Sequence, residues 1–248
     1  MTFPAIPHVT ADASLALFLD VDGTLLEIAP TPNAVVVPDS LKELLASLSV
    51  RLDGALALVS GRSIVTLDKL FAPLRLAAAG IHGSERREAS GCVVRPRVDL
   101  VRFAAARDAL AAWTSRHPGT LLEDKGSALA LHYRLAPNLE DEAHREAQLA
   151  LERLGGTHEL QRGKSVVELR PAGHSKGSAI SAFLRDAPFL GRFPIFIGDD
   201  VTDEAGFAIV NKLGGMSIRV GASAATAAAH RLDGVDDVIA WLQDFNSR

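Results

Sequence analysis

The sequence has little cysteine and no long apolar run, and both absences exclude classes of protein. Cys92 is the single cysteine among 248 residues, so an internal disulfide and a cysteine-ligated zinc site are excluded. With no histidine or asparagine beside it, Cys92 is expected to be a small packed residue rather than a nucleophile. No apolar run approaches the ~20 residues that cross a bilayer, so we expect no membrane partner.

The N-terminal segment lacks the marks of a secretory signal. It has no basic stretch, and Pro4, Pro7 and Asp12 interrupt its apolar residues, which is not the composition of a signal peptide. We therefore expect a cytoplasmic location. We also expect a monomer.

An excess of basic residues is missing as well. The 26 lysines and arginines are outnumbered by 30 aspartates and glutamates, which gives a formal net charge of -4. We therefore expect no nucleic acid as a partner. Residues 163–165 resemble the end of a P-loop, but His158 stands where that motif requires its first glycine, and no Gly-x-Gly-x-x-Gly occurs.

Short apolar runs alternate with segments of helical periodicity near both ends of the chain. The runs are too short for helices and suit strands that are buried on both faces. These strands are predicted at residues 15–19, 55–59, 76–81, 193–197 and 216–220, with a hairpin at 85–94 that turns at Ser90-Gly91. Helices are predicted at residues 41–50, 64–71, 175–184 and 203–213, and after residue 220. This alternation predicts an α/β fold, a Rossmann-like core with a central parallel sheet flanked by helices.

The middle of the chain has a different order of elements, one helix and two strands that occur twice. These elements are predicted at residues 99–116, 121–123, 127–134, 138–154, 159–162 and 165–170. The repeated block predicts a small antiparallel α+β module inserted into the first domain. We therefore expect a core domain of residues 1–98 and 172–248, and an inserted α+β domain of residues 99–171.

Polar residues follow the predicted strands where each strand ends. In an open parallel sheet, ligands bind beyond the carboxyl ends of the strands. Those ends, together with one helix start, carry Asp20, Asp22, Ser60, Arg62, His82, Lys176, Asp199, Asp200 and Asp203. The predicted edge of the sheet thus combines carboxylates with a hydroxyl group and cationic groups.

The carboxylates at this edge indicate a metal. Asp20 and Asp22 directly follow a buried strand, where they repel each other and lose hydration. A divalent cation relieves both effects, and Mg²⁺ suits oxygen ligands best. Lys176 at a helix start favours an anion, so the combination indicates hydrolysis of a phosphate ester. The alternative is that Asp22 and the glycine after it only form a polar turn.

The same stretches resemble the motifs of the haloacid dehalogenase (HAD) superfamily of phosphatases. They are residues 20–24, Ser60, Lys176 and residues 198–203, which occur in the family's order. The resemblance implies a HAD-like core in which Asp20 is the nucleophile and forms an aspartyl-phosphate. It also implies that Asp22 protonates the leaving oxygen and then activates water.

The resemblance further assigns the groups around the reacting phosphate. It implies that Mg²⁺ is held or supported by Asp20, Asp22 (through its carbonyl group), Asp199, Asp200 and Asp203. It implies that Ser60 and Lys176 bind the phosphoryl oxygens, and we predict Gly23 and Arg62 as further phosphate-binding residues. For Arg62, a structural pair with an aspartate is an equal alternative.

Finer motifs resemble the trehalose-6-phosphate phosphatases within that superfamily. They are residues 80–85, 123–126, 131–134, 167–171 and 200–204 with Phe207. In that family the insert is a cap that binds the distal glucose, which here implies Glu123, Lys125 and Glu168 as sugar-binding residues. The implied substrate is trehalose 6-phosphate, hydrolysed to trehalose and phosphate in trehalose biosynthesis.

Two of the sugar-binding predictions have alternatives. Glu123 and Lys125 share one face of a strand, but an unplaced Glu-x-Lys favours a surface salt bridge. His82 is predicted to bind the sugar, yet in its Gly-His-Gly turn it can equally contact phosphate or satisfy backbone groups.

Three other functions compete with this interpretation. One is a phosphatase for another sugar phosphate, such as sucrose 6-phosphate. Another is a silent sugar-phosphate sensor or a partner of the synthase, which has no need of Asp20 as a nucleophile. The third is a glycosyltransferase that uses Asp-x-Asp for a nucleotide sugar, a scheme that Ser60 and Lys176 do not fit.

Overall fold

The computed structural model describes residues 3–7, 9, 12, 14–29, 31, 34–88, 91–222 and 225–247. The chain forms two compact units, which we call the core unit and the insert unit. The core unit consists of Met1–Val94 and Ser175–Arg248, and the insert unit consists of Arg95–His174.

Two sheets are present in the described part of the chain. In chain order, the strands are β1 (Leu15–Leu19), β2 (Leu56–Val59), β3 (Ala77–Gly80), β4 (Glu85–Arg87), β5 (Val93–Val94), β6 (Leu121–Asp124), β7 (Leu129–His132), β8 (His158–Gly163), β9 (Val166–Pro171), β10 (Phe193–Gly198), β11 (Met216–Val220) and β12 (His230–Leu232). The core sheet has the order β12-β11-β10-β1-β2-β3-β4-β5. Its strands are parallel from β12 to β3, and β4 and β5 are antiparallel.

Helices accompany both sheets. They are α1 (Asp39–Arg51), α2 (Ile64–Phe71), α3 (Leu100–Thr114), α4 (Glu140–Arg153), α5 (Lys176–Phe183), α6 (Glu204–Lys212) and α7 (Val235–Ser247). This arrangement confirms the predicted α/β class, with a central and mostly parallel sheet flanked by helices. Among the described residues, no helix combines the length and the apolar composition that a bilayer crossing needs.

The central strands are apolar because helices cover both faces of a parallel sheet. Every residue of β1 is buried. Its Leu19 lies opposite Ile197 of β10 and Leu58 of β2, and the N–H of Asp20 donates to the Ile197 carbonyl at 3.0 Å. The three strands therefore end at the same level, which brings the polar residues that follow them to one edge of the sheet.

The insert unit has its own antiparallel sheet, in the order β6-β7-β9-β8, and its own apolar core. Alternate residues of the central strands pack into that core with side chains of α3 and α4. The buried members include Leu129, Leu131, Val167, Leu169, Phe103, Trp113, Ala143 and Ala147. Since side chains alternate along a strand, Ala130 and Glu168 belong to the opposite face of this sheet.

Two features differ from the sequence-based expectations, and one predicted feature lies outside the described residues. The strand β12 occupies residues where only helices were predicted, and it pairs with β11 through His230 and Ile218. Its three residues contain no apolar run, so the period-based prediction missed this edge strand. Cys92 is exposed rather than packed, and it lies directly before β5, the edge strand of the core sheet. Ser90, at the predicted hairpin turn, lies outside the described residues.

Candidate active site

An acidic cluster lies at the carboxyl end of the core sheet. One carboxylate oxygen from each of Asp20, Asp199 and Asp203 lies within 4.8 Å of the others. Asp20 follows β1, Asp199 follows β10, and Asp203 ends the 3₁₀ turn that comes next. The aligned ends of β1 and β10 are the reason that residues so distant in sequence meet here.

Lys176 is the cation of this cluster. Its Nζ donates to Asp20 Oδ1 at 2.6 Å and to Asp203 Oδ1 at 2.7 Å. It begins α5, whose preceding residue, Ser175, caps the helix by accepting the N–H of Ser178. Burial alone would lower the pKa of Lys176, but the carboxylates of Asp20 and Asp203 raise it above its usual value, so the ammonium group stays charged.

Asp20 is held at both carboxylate oxygens. Oδ1 accepts from Lys176, and Oδ2 accepts from the hydroxyl group of Thr24 at 3.2 Å. The residue is only 3% exposed. Thr24 was not singled out in the sequence, although it belongs to the motif at residues 20–24. A carboxylate that is fixed on both sides is oriented for attack on a substrate atom.

The carboxylate of Asp203 connects Lys176 to the backbone of the loop that follows β10. Oδ1 accepts from Lys176, and Oδ2 accepts the N–H groups of Asp199 and Asp200 at 3.1 and 2.9 Å. Asp200 caps the same turn with its side chain, and its carbonyl oxygen accepts from Arg219 at 3.2 Å. These contacts fix the loop, and no sequence signal pointed to Arg219.

Asp199 has an unsatisfied oxygen. Its Oδ1 is buried and has no hydrogen-bond partner among the described residues. Burial and the neighbouring charges of Asp20 and Asp203 raise the pKa of Asp199 well above its usual range. The cluster therefore has three carboxylates, one lysine and one orphaned oxygen, which is the donor set that a hard divalent cation satisfies. The carboxylates of Asp22 and Asp200 are not members of the cluster.

Arg62 pairs with Asp22 through two parallel hydrogen bonds. Nε donates to Asp22 Oδ2 and Nη2 donates to Asp22 Oδ1, each at 2.7 Å. Arg62 follows β2 and Asp22 follows β1, so the pair joins two neighbouring strand ends. The Arg62 backbone N–H also donates to Ser60 Oγ at 3.1 Å. Of the two alternatives for Arg62, the structure shows the pair with an aspartate.

His82 lies beside the loop that carries Ser60 and Arg62. Its N–H donates to the Ser60 carbonyl at 3.0 Å, and a Cβ on Gly61 would lie 2.6 Å from the His82 ring. Ile81 and His82 both adopt left-handed backbone conformations, with φ of 48° and 54°. For a β-branched residue such as Ile81 this conformation is costly. The surrounding structure thus maintains a strained turn that places the imidazole ring on Gly61.

The predicted sugar-binding carboxylates lie on one polar face of the insert sheet. Across three strands, Glu123 of β6 is opposite Ala130 of β7, which is opposite Glu168 of β9. Lys125 Nζ donates to Glu168 Oε1 at 3.0 Å. Their side chains are 9% and 6% exposed, so this is a buried pair and not the surface salt bridge that the spacing alone suggested.

His132 of β7 is a further member of this face. Its Nε2 lies 3.0 Å from Glu123 Oε2. Burial would raise the pKa of Glu123, but the hydrogen bond with His132 and the charge of Lys125 lower it below the usual value. Glu123 is therefore an ionised acceptor. His132 was not predicted, although it stands in the motif at residues 131–134.

Solved structures place this architecture in a known class. The chain superimposes on the crystal structure of a trehalose-6-phosphate phosphatase related protein with a TM-score of 0.78 and 28% sequence identity, over 94% of this chain and 97% of that one. The HAD-like core prediction is confirmed. The fold, the acidic cluster and the similarity in sequence to known phosphatases together define a phosphatase, an enzyme that hydrolyses phosphoric monoesters.

Sequence relatives narrow the class to one family. The trehalose-phosphatase family model matches residues 18–236. The chain is 49% identical over 246 residues to the trehalose-6-phosphate phosphatase of Escherichia coli, covering 98% of this chain and 91% of that protein. It is 52% identical over 206 residues to a probable trehalose-phosphate phosphatase of Sinorhizobium fredii, covering 83% and 77%. The chain belongs to the trehalose-phosphatase family.

Proposed function

We propose that this phosphatase hydrolyses trehalose 6-phosphate to trehalose and phosphate, with Mg²⁺ and through an aspartyl-phosphate on Asp20. The observation that carries the proposal is the doubly held Asp20 carboxylate, beside Lys176 and within the acidic cluster. The family and its named relatives supply the substrate.

The first step transfers the phosphoryl group to the protein. A carboxylate oxygen of Asp20 attacks the phosphorus, and the bond between phosphorus and the sugar oxygen breaks. Protonated Asp22 gives its proton to the leaving oxygen, which produces trehalose and the aspartyl-phosphate.

The second step returns the enzyme to its starting state. The Asp22 carboxylate takes a proton from water as the water oxygen attacks the phosphorus. The bond between phosphorus and Asp20 breaks, phosphate leaves, and the Asp20 carboxylate is restored. Throughout both steps, Lys176 and the hydroxyl group of Ser60 bind the phosphoryl oxygens. The N–H of Gly23 donates to the Leu26 carbonyl at 2.7 Å. Gly23 would therefore allow the phosphoryl group to approach the backbone closely, rather than donate its N–H to that group.

The residues of the acidic cluster fit Mg²⁺. Asp20 and Asp199 would hold the ion with the Asp22 carbonyl oxygen, since Asp199 Oδ1 is buried and orphaned. Asp200 and Asp203 would support it by fixing the loop. When bound, the ion neutralises the negative charge of the phosphoryl group as the group transfers.

Gly23→Ala is expected to abolish most Mg²⁺ affinity. A Cβ at this position would lie 2.1 Å from Asp199 Oδ2, and the φ of +86° adds a left-handed backbone that costs ~1–2 kcal/mol for a residue with a side chain. Calorimetric titration with Mg²⁺ measures the effect. Gly214→Ala is the matched control, because its φ is +74° but no atom lies within 4 Å of the added carbon. Equal Mg²⁺ affinity in the two variants would contradict this account.

We propose that the insert, predicted at residues 99–171, is a cap that supplies substrate specificity. Glu123, Lys125 and Glu168 would bind the hydroxyl groups of the distal glucose, because ionised carboxylates accept from vicinal hydroxyl groups and a lysine donates to them. His82 would serve as a sugar or phosphate contact from the core unit.

Glu168→Gln is expected to lower kcat/KM for trehalose 6-phosphate by ~10-fold or more, since a charged hydrogen-bond acceptor is lost. Hydrolysis of para-nitrophenyl phosphate, which has no sugar, should change little. Glu123→Gln should act in the same direction. Glu152→Gln on the exposed side of α4 is the control and should affect neither substrate. Equal losses on both substrates would argue against sugar recognition by these carboxylates.

Phosphate release from a panel of sugar phosphates tests the function. The panel contains trehalose 6-phosphate, glucose 6-phosphate and sucrose 6-phosphate, each with Mg²⁺ and with EDTA. We expect release from the first substrate alone, lost with EDTA and restored by excess Mg²⁺. Preferred release from sucrose 6-phosphate would assign another sugar-phosphate phosphatase, and no release from any substrate would favour a sensor. The monomeric state and cytoplasmic location stay predictions.

A further inference from the structure

The pairing of Arg62 and Asp22 engages hydrogen-bonding groups of both side chains. Both oxygens of the Asp22 carboxylate accept from the Arg62 guanidinium group, in the planar fork that this group forms with paired oxygens. The Arg62 side chain is 9% exposed, whereas that of Asp22 is 33% exposed. The arginine is thus the buried partner, and the aspartate is the partner that can turn towards solvent.

A buried guanidinium group requires an anion. Moving Asp22 away would take a charge-compensating partner from Arg62 in a largely dry environment, which is unfavourable. A phosphoryl group offers the same paired oxygens in the same geometry. The phosphoryl group of the substrate can therefore take the place of the Asp22 carboxylate on Arg62.

We propose that Arg62 is a latch on Asp22 that the phosphoryl group of the substrate opens. This inference rests on the proposed function. With no phosphoryl group present, Arg62 holds the Asp22 carboxylate beside the end of β2. When a phosphoryl group binds, it takes the guanidinium group, and the Asp22 side chain is released to serve the leaving oxygen. Arg62 is a positioning residue in the first state and a phosphate ligand in the second.

The latch makes Asp22 a competitor of phosphate for Arg62, and this competition is measurable without turnover. The probe is inorganic phosphate, titrated calorimetrically in the presence of Mg²⁺ into four proteins: wild type, Asp22→Asn, Arg62→Gln and the double variant. We expect Asp22→Asn to bind phosphate about tenfold more tightly than wild type. In the Arg62→Gln background, the same substitution should change the affinity by less than about twofold.

Simple charge repulsion predicts the opposite pattern. If Asp22 only repels phosphate, its removal tightens binding at least as much when Arg62 is absent, because no cation then shields the carboxylate. A gain in the Arg62→Gln background that equals or exceeds the gain in the wild-type background would overturn the latch. So would an unchanged affinity of Asp22→Asn, or no phosphate binding by any of the four proteins.

A second ion pair provides the matched control. Arg87 Nη1 donates to both oxygens of Asp68 at 2.6 and 2.8 Å, with side-chain exposures of 7% and 29%. Asp68→Asn should therefore perturb the protein as Asp22→Asn does but leave phosphate affinity unchanged. Arg62→Lys, which keeps a cation without the fork, replaces Arg62→Gln if that variant does not fold, and it should also reduce the gain.

The outcome is separable from that of the proposed function. If wild type releases no phosphate from trehalose 6-phosphate, the function fails whatever the binding data show. If wild type is active but the effect of Asp22→Asn on phosphate affinity does not depend on Arg62, only the latch fails.

Discussion

Asp20→Asn is expected to reduce hydrolysis of trehalose 6-phosphate by ~10⁵-fold or more. The amide oxygen is a poor nucleophile, and among the described residues no other carboxylate has both the contact with Lys176 and the contact with Thr24. Phosphate release under saturating substrate and Mg²⁺ measures the loss.

The substitution should leave the fold intact. Asparagine has the shape of aspartate, and Lys176 retains Asp203 as its second partner. Asp53→Asn is the control, since that carboxylate is 82% exposed and pairs only loosely with Arg192 at 3.4 Å. Turnover of Asp20→Asn near the wild-type rate would remove Asp20 from the role of nucleophile.

Asp22→Asn is expected to lower turnover of trehalose 6-phosphate by ~10²–10⁴-fold, the usual value of general acid–base catalysis. The sugar oxygen is a poor leaving group and needs the proton that Asp22 supplies. The second step also loses the base that activates water.

para-Nitrophenyl phosphate separates these two roles of Asp22. Nitrophenolate leaves without a proton, so the first step should stay fast in Asp22→Asn while the second step is slow. Stopped-flow absorbance should then show a burst of about one nitrophenolate per enzyme, followed by slow turnover. Steady turnover without a burst, at the wild-type rate, would contradict both assignments.

The core fold followed from short-range signals in the sequence. Residues 15–19 are apolar throughout and form the buried β1 as predicted. Residues 216–220 form β11 and residues 64–71 form α2 with the predicted bounds. In each of these segments local periodicity and tertiary burial agree, which is when such predictions succeed. The strand β12 failed because an edge strand needs no apolar run.

The acidic cluster was foreseeable for a different reason. Asp20, Asp199 and Lys176 each stand at the end of a strand or the start of a helix, and topology brings such positions together. The pairing of Arg62 with Asp22 was left open, because it depends on side-chain orientation across two neighbouring strands. The contact of His132 with Glu123 depends likewise on the register of β6 and β7, which no local pattern fixes.

The covalent intermediate is the central claim, and trapping it is the most direct test. Wild-type protein is mixed with trehalose 6-phosphate and Mg²⁺, quenched within milliseconds and reduced with borohydride, which converts an aspartyl-phosphate into homoserine. We expect peptide mass spectrometry to find homoserine at position 20 only when substrate was present. Active enzyme that yields no modified residue across the time course, or one modified elsewhere, would contradict the account.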